Sequence, residues 1–209
     1  MVLSAAQLAT LDRDGYIVVP QALDARCVGR LRRAFDDAPL QGDGTQHVRL
    51  TDTTAELDAW AALKSHPLIV AAAQHVLGRP YQVDVHGRNP LPGFGQQGLH
   101  ADWTARSPGE PYFAVTALWM LDDFHDINGA TRVVPGSHRD TRPLPKSLRQ
   151  PLARHPAEKV ITGKAGSVLL FNGHLLHSGR KNASGSPRRA AQMVVLAADA
   201  IAGYVPRAT

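Results

Sequence analysis

Residues 167–179, "SVLLFNGHLLHSG", contain an apolar run, a turn signal at Asn172-Gly173 and a second short run with two histidines. An apolar run of this length beside an Asn-Gly signal is typical of a buried strand in a hairpin. Similar short runs recur from Tyr81 onward, separated by Gly, Pro and Asn: "YQVDVHG", "GLHADW", "YFAVTALWML", "TRVVP", "KVIT", "GSVLLF" and "AAQMVVLAA". Many short strands with turns between them predict a β-sandwich or barrel, not a parallel α/β sheet.

The first 80 residues have mainly helical patterns. Ser4 and Asp24 are predicted to cap two helices, and helical spacing recurs in "TAELDAWAALKS" (54–65) and "PLIVAAAQHVLG" (67–78). The run "YIVVP" is predicted to be a short strand. We therefore expect one domain over residues 1–209, with mainly helical support over 1–80 and a β-rich core over 81–200.

Two segments have no clear period and are expected to be substrate-facing loops. One is "LQGDGTQHVRL", residues 40–50, and the other runs from about Asp140 to Glu158 and contains four prolines. A long loop in a compact domain often covers an active site. The second segment is therefore predicted to act as a surface lid.

Composition narrows the class of protein. The chain is 44% hydrophobic and 20% charged, which is ordinary for a soluble globular protein. The net charge is +5, and the basic residues are scattered in small groups. This pattern fits a small acidic substrate as well as it fits a nucleic acid, so it does not favour a nucleic-acid partner. Oligomeric state cannot be inferred from these features.

Cysteine content and hydropathy suggest a compartment. The single cysteine, Cys27, excludes an internal disulfide and suits a reducing cytoplasm. The N-terminal residues lack the pattern of a secretory signal, and no apolar run approaches the roughly 20 residues of a membrane span. A cytoplasmic protein without a membrane segment is therefore expected.

The pattern His-x-Asp occurs twice, at His100/Asp102 and at His138/Asp140. In a strand, residues i and i+2 point to the same face, so this spacing places an imidazole beside a carboxylate, as two ligands of one metal require. The first pair lies between β-type runs, whereas the second follows a "PGS" turn and leads into the polar loop. The first pair is favoured, and the side chains of the second are expected to be solvated.

A third ligand must come from a distant part of the chain, and both His174 and His177 are candidates. Two histidines and one aspartate form the facial triad of non-haem Fe(II) enzymes, which leaves positions open for a cosubstrate and O₂. Zinc is the closest alternative for the same ligands. Each histidine taken alone could equally be a hydrogen-bonded residue of the core or surface.

Three blocks in order resemble the phytanoyl-CoA dioxygenase family of Fe(II)- and 2-oxoglutarate-dependent oxygenases. They are "GLHADW" (98–103), "ALWMLDDFHDINGATRVVPGSHR" (117–139) and "AGSVLLFNGHLLHSGRKNASGSPRR" (165–189), and the resemblance spans residues 11–197. It implies a mostly β fold with flanking N-terminal helices, a double-stranded β-helix or cupin-like jelly roll. It also implies a dioxygenase that uses O₂ and 2-oxoglutarate to hydroxylate an unactivated C–H bond of a small molecule, releasing succinate and CO₂.

The resemblance distinguishes between the two distal histidines. In the family this histidine lies five residues before an Asn and eleven before an Arg, and His177 has that spacing to Asn182 and Arg188 whereas His174 does not. Arg188 is then the partner of the distal carboxylate of 2-oxoglutarate, a role that suits a planar, permanently charged donor. The implied iron ligands are His100, Asp102 and His177.

Further residues are proposed around these four. Possible helpers at the cosubstrate are Ser184, Trp119 and Thr131, and core packing is the alternative for Trp119. Arg189 should face away from Arg188, because neighbours in a strand point to opposite sides. Candidate substrate contacts are Gln96, Gln97, Arg88 and His47. The resemblance also makes His138 structural.

The outcome of the reaction has alternatives. An intact Asp102 argues against halogenation, because related halogenases have a small residue there, while epimerisation, cyclisation and desaturation stay open. The short chain argues against a large acyl-CoA substrate. Two other classes are a non-redox, metal-dependent isomerase or lyase of cupin type, which needs no arginine for 2-oxoglutarate, and a non-catalytic binding jelly roll.

Overall fold

The computed structural model describes residues 2–36, 38, 40, 42–49, 57–103 and 107–203. Its α-helices are α1 (Ala5–Asp14), α2 (Ala25–Arg33), α3 (Leu57–Lys64) and α4 (Pro67–Leu77). Its strands are β1 (Tyr16–Val19), β2 (Thr45–Arg49), β3 (Tyr81–Pro90), β4 (Ala114–Met120), β5 (Thr131–Val133), β6 (Lys159–Val160), β7 (Val168–Asn172), β8 (His177–Gly179) and β9 (Ala190–Ala197). Across these ranges, none of the helices is long and apolar enough to cross a bilayer.

The helix boundaries follow from local hydrogen bonding. The Ser4 hydroxyl accepts the backbone N–H of Gln7, whose side chain accepts the N–H of Ser4, so a capping box begins α1. Asp24 caps α2 by accepting the N–H of Cys27. These predicted caps are confirmed. Residues 54–56, the start of the pattern "TAELDAWAALKS", lie outside the described residues.

The strands form two antiparallel sheets, with the order β1-β7-β4-β9-β3-β2 in the large one and β6-β5-β8 in the small one. Both edges of the large sheet, β1 and β2, come from the first 80 residues, so this region supplies strands as well as helices. Strand β2 lies in the segment 40–50 that was expected to be a loop. That expectation was wrong because Thr45–Arg49 pairs with His86–Pro90, and such pairing has no local signature.

Strand alternation divides the core into two layers. Val115, Ala117 and Trp119 of β4 pack in the cluster that the helices cover. Leu118 and Met120 point the other way, into a cluster that also contains Val133 and Leu175. Because this second cluster draws on both sheets, the sheets face each other across it. The fold is the expected double-stranded β-helix, and its open end between the sheets holds the candidate site.

Candidate active site

His100 and His177 are joined by a single antiparallel bridge between the segment after β3 and the start of β8. The N–H of His100 donates to the oxygen of His177 at 3.0 Å, and the N–H of His177 donates back at 2.8 Å. Their ring centroids are 4.5 Å apart. The stretch "GLHADW" is therefore not a strand as expected, because one bridge is followed by a bend at Asp102 and Trp103.

Both imidazoles are oriented by main-chain oxygens. Nδ1 of His100 donates to the oxygen of Gly98 at 2.9 Å, and Nδ1 of His177 donates to the oxygen of Leu175 at 3.0 Å. Since a carbonyl can only accept, each Nδ1 carries the proton and each Nε2 is the ring nitrogen that can act as a metal ligand. This is the arrangement that fixes histidine ligands in metal sites.

Asp102 completes a cluster of three donors. Its Oδ2 accepts a hydrogen bond from the hydroxyl of Thr116 at 2.5 Å, and its Oδ1 lies 3.5 Å from Nε2 of His177. One donor atom from each of His100, Asp102 and His177 lies within 4.8 Å of the others, the one such group in the described ranges. Two imidazoles and a carboxylate fit Fe(II), with zinc as the chemical alternative.

A cavity between the sheets opens beside these donors. Residues from β3, β4, β5, β7, β8 and β9 and from the loops line it together with His100 and His177: Arg88, Gly95, Gln97, Thr116, Leu118, Thr131, Phe171, Gly179, Arg188 and Gln192. Four residues expected at the cosubstrate or substrate, Arg88, Gln97, Thr131 and Arg188, are in this set. The cavity therefore places them beside the three candidate ligands.

Arg188 is a buried guanidinium that has no carboxylate partner in the part of the chain that the structure describes. Its side chain is 6% exposed, its Nε has no hydrogen-bond partner, and it stacks over the ring of Phe124 at 4.9 Å. Burial, and after it the charge of Arg88, lower the pKa of Arg188 to about 9, so the group is still charged at neutral pH. A charge buried in this way is costly unless an anion pairs with it. The site thus fits a ligand carboxylate.

Comparisons with known proteins agree with this arrangement. The family model for phytanoyl-CoA dioxygenase (PhyH) matches residues 11–190. The chain belongs to the phytanoyl-CoA dioxygenase family. Membership makes it a 2-oxoglutarate-dependent non-haem iron dioxygenase, as expected from the sequence, and sets aside the isomerase, lyase and binding-module alternatives.

Individual members of the family and solved structures extend the comparison. An ectoine dioxygenase of Halomonas elongata is 30% identical over 225 residues, covering 89% of this chain and 68% of that protein. The structure of EctD from S. alaskensis is 28% identical with a TM-score of 0.68, over 93% of this chain and 77% of that one. HygX from Streptomyces hygroscopicus, in a structure with nickel, 2-oxoglutarate and hygromycin B bound, has a TM-score of 0.76 at 20% identity, covering 94% and 88%. Because HygX is only 20% identical to this chain, the similarity to HygX shows the fold alone.

Arg189 lies apart from the cavity, as predicted. Its Nη2 and Nε each donate to a carboxylate oxygen of Asp122 at 2.9 Å. Arg188 precedes β9, which begins at Ala190, and its N–H donates to the side-chain oxygen of Asn89 at 3.1 Å. Arg188 is thus positioned by a side chain of β3 as well as by the strand that follows.

Three other candidates are not among the residues that line the cavity. The indole of Trp119 is fully buried on the helix side and donates to Sδ of Met193 at 3.0 Å, so its proposed role at the cosubstrate is corrected to core packing. The Ser184 hydroxyl donates within its own turn to Oδ1 of Asn182 at 2.7 Å. Gln96 donates to the oxygen of Pro151 at 2.6 Å and is a loop contact.

The remaining histidine candidates have different surroundings. His138 is 2% exposed and its Nε2 donates to the oxygen of Asp12 at 3.1 Å, so the expected solvation was wrong, although Asp140 is 41% exposed. Nε2 of His174 accepts the N–H of Phe113 at 3.2 Å. His47 lies on β2 opposite Arg88 and does not line the cavity.

Arg132 is a site residue that the sequence did not indicate. It is 1% exposed, and its side chain donates five hydrogen bonds, to Oγ of Ser178, the oxygens of Gln97, Pro151 and Ala153, and Oε2 of Glu158. Gln97 and Ser178 are close in sequence to His100 and His177. The end of the predicted lid is therefore attached to the segments that carry both histidines.

Proposed function

We propose that the protein hydroxylates an unactivated C–H bond of a small molecule, with Fe(II) held by His100, Asp102 and His177. Arg188 would bind the distal carboxylate of 2-oxoglutarate. The observation that carries this proposal is one cavity lined by both histidines of a two-histidine, one-carboxylate cluster and by a buried arginine that has no carboxylate partner among the described residues. The proposal treats residues 1–209 as one such domain.

The surrounding residues prepare the donors. Bound Fe(II) supplies O₂ activation coupled to oxidative decarboxylation of 2-oxoglutarate, so that R–H, O₂ and 2-oxoglutarate become R–OH, succinate and CO₂. The Nδ1 hydrogen bonds fix the two imidazole rings, so that Nε2 of His100 and Nε2 of His177 would be the nitrogens that bind the metal. The hydroxyl of Thr116 holds Oδ2 of Asp102, which leaves Oδ1 for the metal.

Arg188 supplies charge and geometry for the cosubstrate. A guanidinium can bind both oxygens of a carboxylate, and burial strengthens this contact because competing water is excluded. The ring of Phe124 restricts the guanidinium plane from one side. A carboxylate bound there would also compensate the repulsion between Arg188 and Arg88.

A small-molecule substrate is supported by relatives. Similar proteins include ectoine dioxygenases, and HygX has been crystallised with hygromycin B. We extend only the coarse class, a small soluble metabolite, to this chain and propose no nucleic-acid partner. The single cysteine and the need to keep iron ferrous both suit a reducing cytoplasm.

An anaerobic titration tests the assignment of the ligands. Fe(II) and 2-oxoglutarate added to the protein should give a weak visible charge-transfer band, and Zn(II) should give none. Asp102→Ala should lose the band and abolish succinate formation in air, because a ligand oxygen is removed. Asp140→Ala, from the other His-x-Asp pair, should keep both. Succinate formation at the wild-type rate in Asp102→Ala would show that the ligand assignment is wrong.

A further inference from the structure

A second arginine in the cavity has no assigned partner. The side chain of Arg88 on β3 lines the same cavity as His100, His177 and Arg188. It forms no hydrogen bond or ion pair with the residues that the structure describes. Burial lowers the pKa of Arg88, which is opposed by attraction to the carboxylates of Asp43 and Asp102. A second partly desolvated guanidinium therefore faces the space beside the metal donors.

Arg88 and Arg188 are directed to different parts of this cavity. Arg188 stacks on Phe124 in the inner cluster, and the carboxylate that attracts it is Asp122. Arg88 lies next to the edge strand β2, and one of the carboxylates that attract it, Asp43, is 47% exposed in the segment before that strand. Arg88 is thus on the side of the cavity next to the edge strand β2, and Arg188 is on the side of the inner cluster.

The charges of the site also leave room for a second anion. Fe(II), Asp102, Arg88 and Arg188 together carry three positive charges, and 2-oxoglutarate neutralises two of them. The nearby histidines add none at neutral pH, because burial and then the charge of Arg88 lower the pKa values of His47 and His86, the latter to about 4. Asp43 and Asp122 attract the two arginines but form no ion pair with either of them among the described residues, and Asp122 already pairs with Arg32 and Arg189. One positive charge would therefore lack a paired counterion in a partly buried cavity, which is costly unless a ligand pairs with it.

We propose that Arg88 binds a carboxylate of the primary substrate, so that the substrate of this dioxygenase is a small organic anion. This inference rests on the proposed function, because it takes the inner arginine as the cosubstrate site. It gives the expected substrate contact Arg88 a chemical role: Arg188 recognises the cosubstrate, and Arg88 selects a carboxylate on the substrate. A planar, bidentate donor gives the selectivity for carboxylates that a neutral side chain lacks.

The test uses the full chain loaded with Zn(II) and 2-oxoglutarate, which cannot turn over. The probes are cyclohexanecarboxylate, benzoate and pyroglutamate, each paired with its primary carboxamide, and binding is followed by saturation-transfer NMR. At least one carboxylate should bind the wild type tenfold or more tightly than its amide. Arg88→Gln should remove this preference, and Arg88→Lys should retain part of it. Arg49→Gln, which removes an exposed charge from the neighbouring strand β2, should keep it.

Each outcome has a defined meaning. The inference is overturned if no carboxylate is preferred by the wild type, or if Arg88→Gln keeps the preference. It is also overturned if Arg88→Gln weakens 2-oxoglutarate binding in the Fe(II) protein as much as Arg188→Gln does, because Arg88 then serves the cosubstrate. That result leaves the proposed function intact, whereas loss of the charge-transfer band in the wild type would reject the proposed function itself. Thermal unfolding and circular dichroism of Arg88→Gln check that the variant is folded.

Discussion

Two buried arginines near the candidate site have opposite surroundings. Arg132, beside the loop 140–158, donates five hydrogen bonds and pairs with Glu158, whereas Arg188, in the cavity, has an unpaired Nε and no carboxylate partner among the described residues. Both side chains are less than a tenth exposed. Because burial is the same, the difference lies in pairing: a satisfied guanidinium stabilises the fold, and an unsatisfied one is available to a ligand.

The largest expected effect comes from removing the satisfied arginine. Arg132→Met should lower the free energy of unfolding by about 3–5 kcal/mol, because it breaks the ion pair of a buried guanidinium with Glu158 and removes its hydrogen bonds to Ser178 and to three main-chain oxygens. Arg188→Met is the matched control and should be at least as stable as the wild type, since it removes an unpaired buried charge. Urea unfolding of the three proteins measures this. Equal destabilisation by both substitutions would contradict the comparison.

The unsatisfied arginine should matter for binding instead. Arg188→Gln should weaken 2-oxoglutarate binding roughly ten- to a thousand-fold, because a charged, bidentate contact is lost. The charge-transfer titration gives the dissociation constant. Arg189→Gln, which alters the pair with Asp122 outside the cavity, should leave the constant unchanged. If Arg189→Gln has the effect and Arg188→Gln does not, the two assignments must be exchanged.

Thr116 allows a sharper comparison within the metal site. Thr116→Val removes the hydroxyl that holds Oδ2 of Asp102 and should lower metal affinity about 10–100-fold. Competition with a chelator of known affinity measures the change. Thr131 lines the same cavity but forms no hydrogen bond with a candidate ligand among the described residues. The metal affinity of Thr131→Val should therefore equal that of the wild type. A similar loss in both variants would mean that general packing, and not this hydrogen bond, controls affinity.

The smallest effect concerns the acid sensitivity of the loop end that contains Glu158. Burial raises the pKa of Glu158, but Arg154, the N–H of His155 and Arg132 outweigh it and hold the pKa below its usual value of 4.5. Because the folded pKa is lowered, this carboxylate stabilises the protein above pH 4.5 and loses its effect as the pH falls through the lower, folded value. Glu158→Gln should flatten this part of the stability profile, measured by unfolding from pH 6 to pH 3. A profile parallel to that of the wild type would exclude this role for Glu158.

The sequence predicted the elements that depend on local patterns. The caps at Ser4 and Asp24 and the short strands of the β-rich half follow from residue type and spacing. The approach of His177 to His100 depended on the family resemblance, because 76 intervening residues carry no pairing signal. The choice of Arg188 over Arg189 also depended on the family resemblance. The roles of the histidines as iron ligands and of Arg188 as a cosubstrate ligand stay predictions.

Other features depend on tertiary contacts and could not be read locally. Alternation shows that Thr116 and Trp119 are on opposite faces of β4, but it does not say which face borders the cavity, so both a cosubstrate role and core packing stayed open for Trp119 until the structure placed it in the core. Arg132 was missed because its acceptors Ala153 and Glu158 lie 21 and 26 residues away, and main-chain oxygens have no signature in the sequence. Strand β2 was missed for the same reason, since only pairing with β3 defines it.

The oxygens that orient His100 and His177 belong to residues only two positions earlier in the chain, Gly98 and Leu175. Every amino acid carries such an oxygen, so no substitution at these positions can delete the acceptor. What a substitution can do is shift the backbone: a Cβ at position 98 would lie 1.8 Å from the oxygen of Arg149. The orientation of these two histidines should therefore be more sensitive to a side chain added at position 98 than to the identity of the residue that carries the acceptor oxygen.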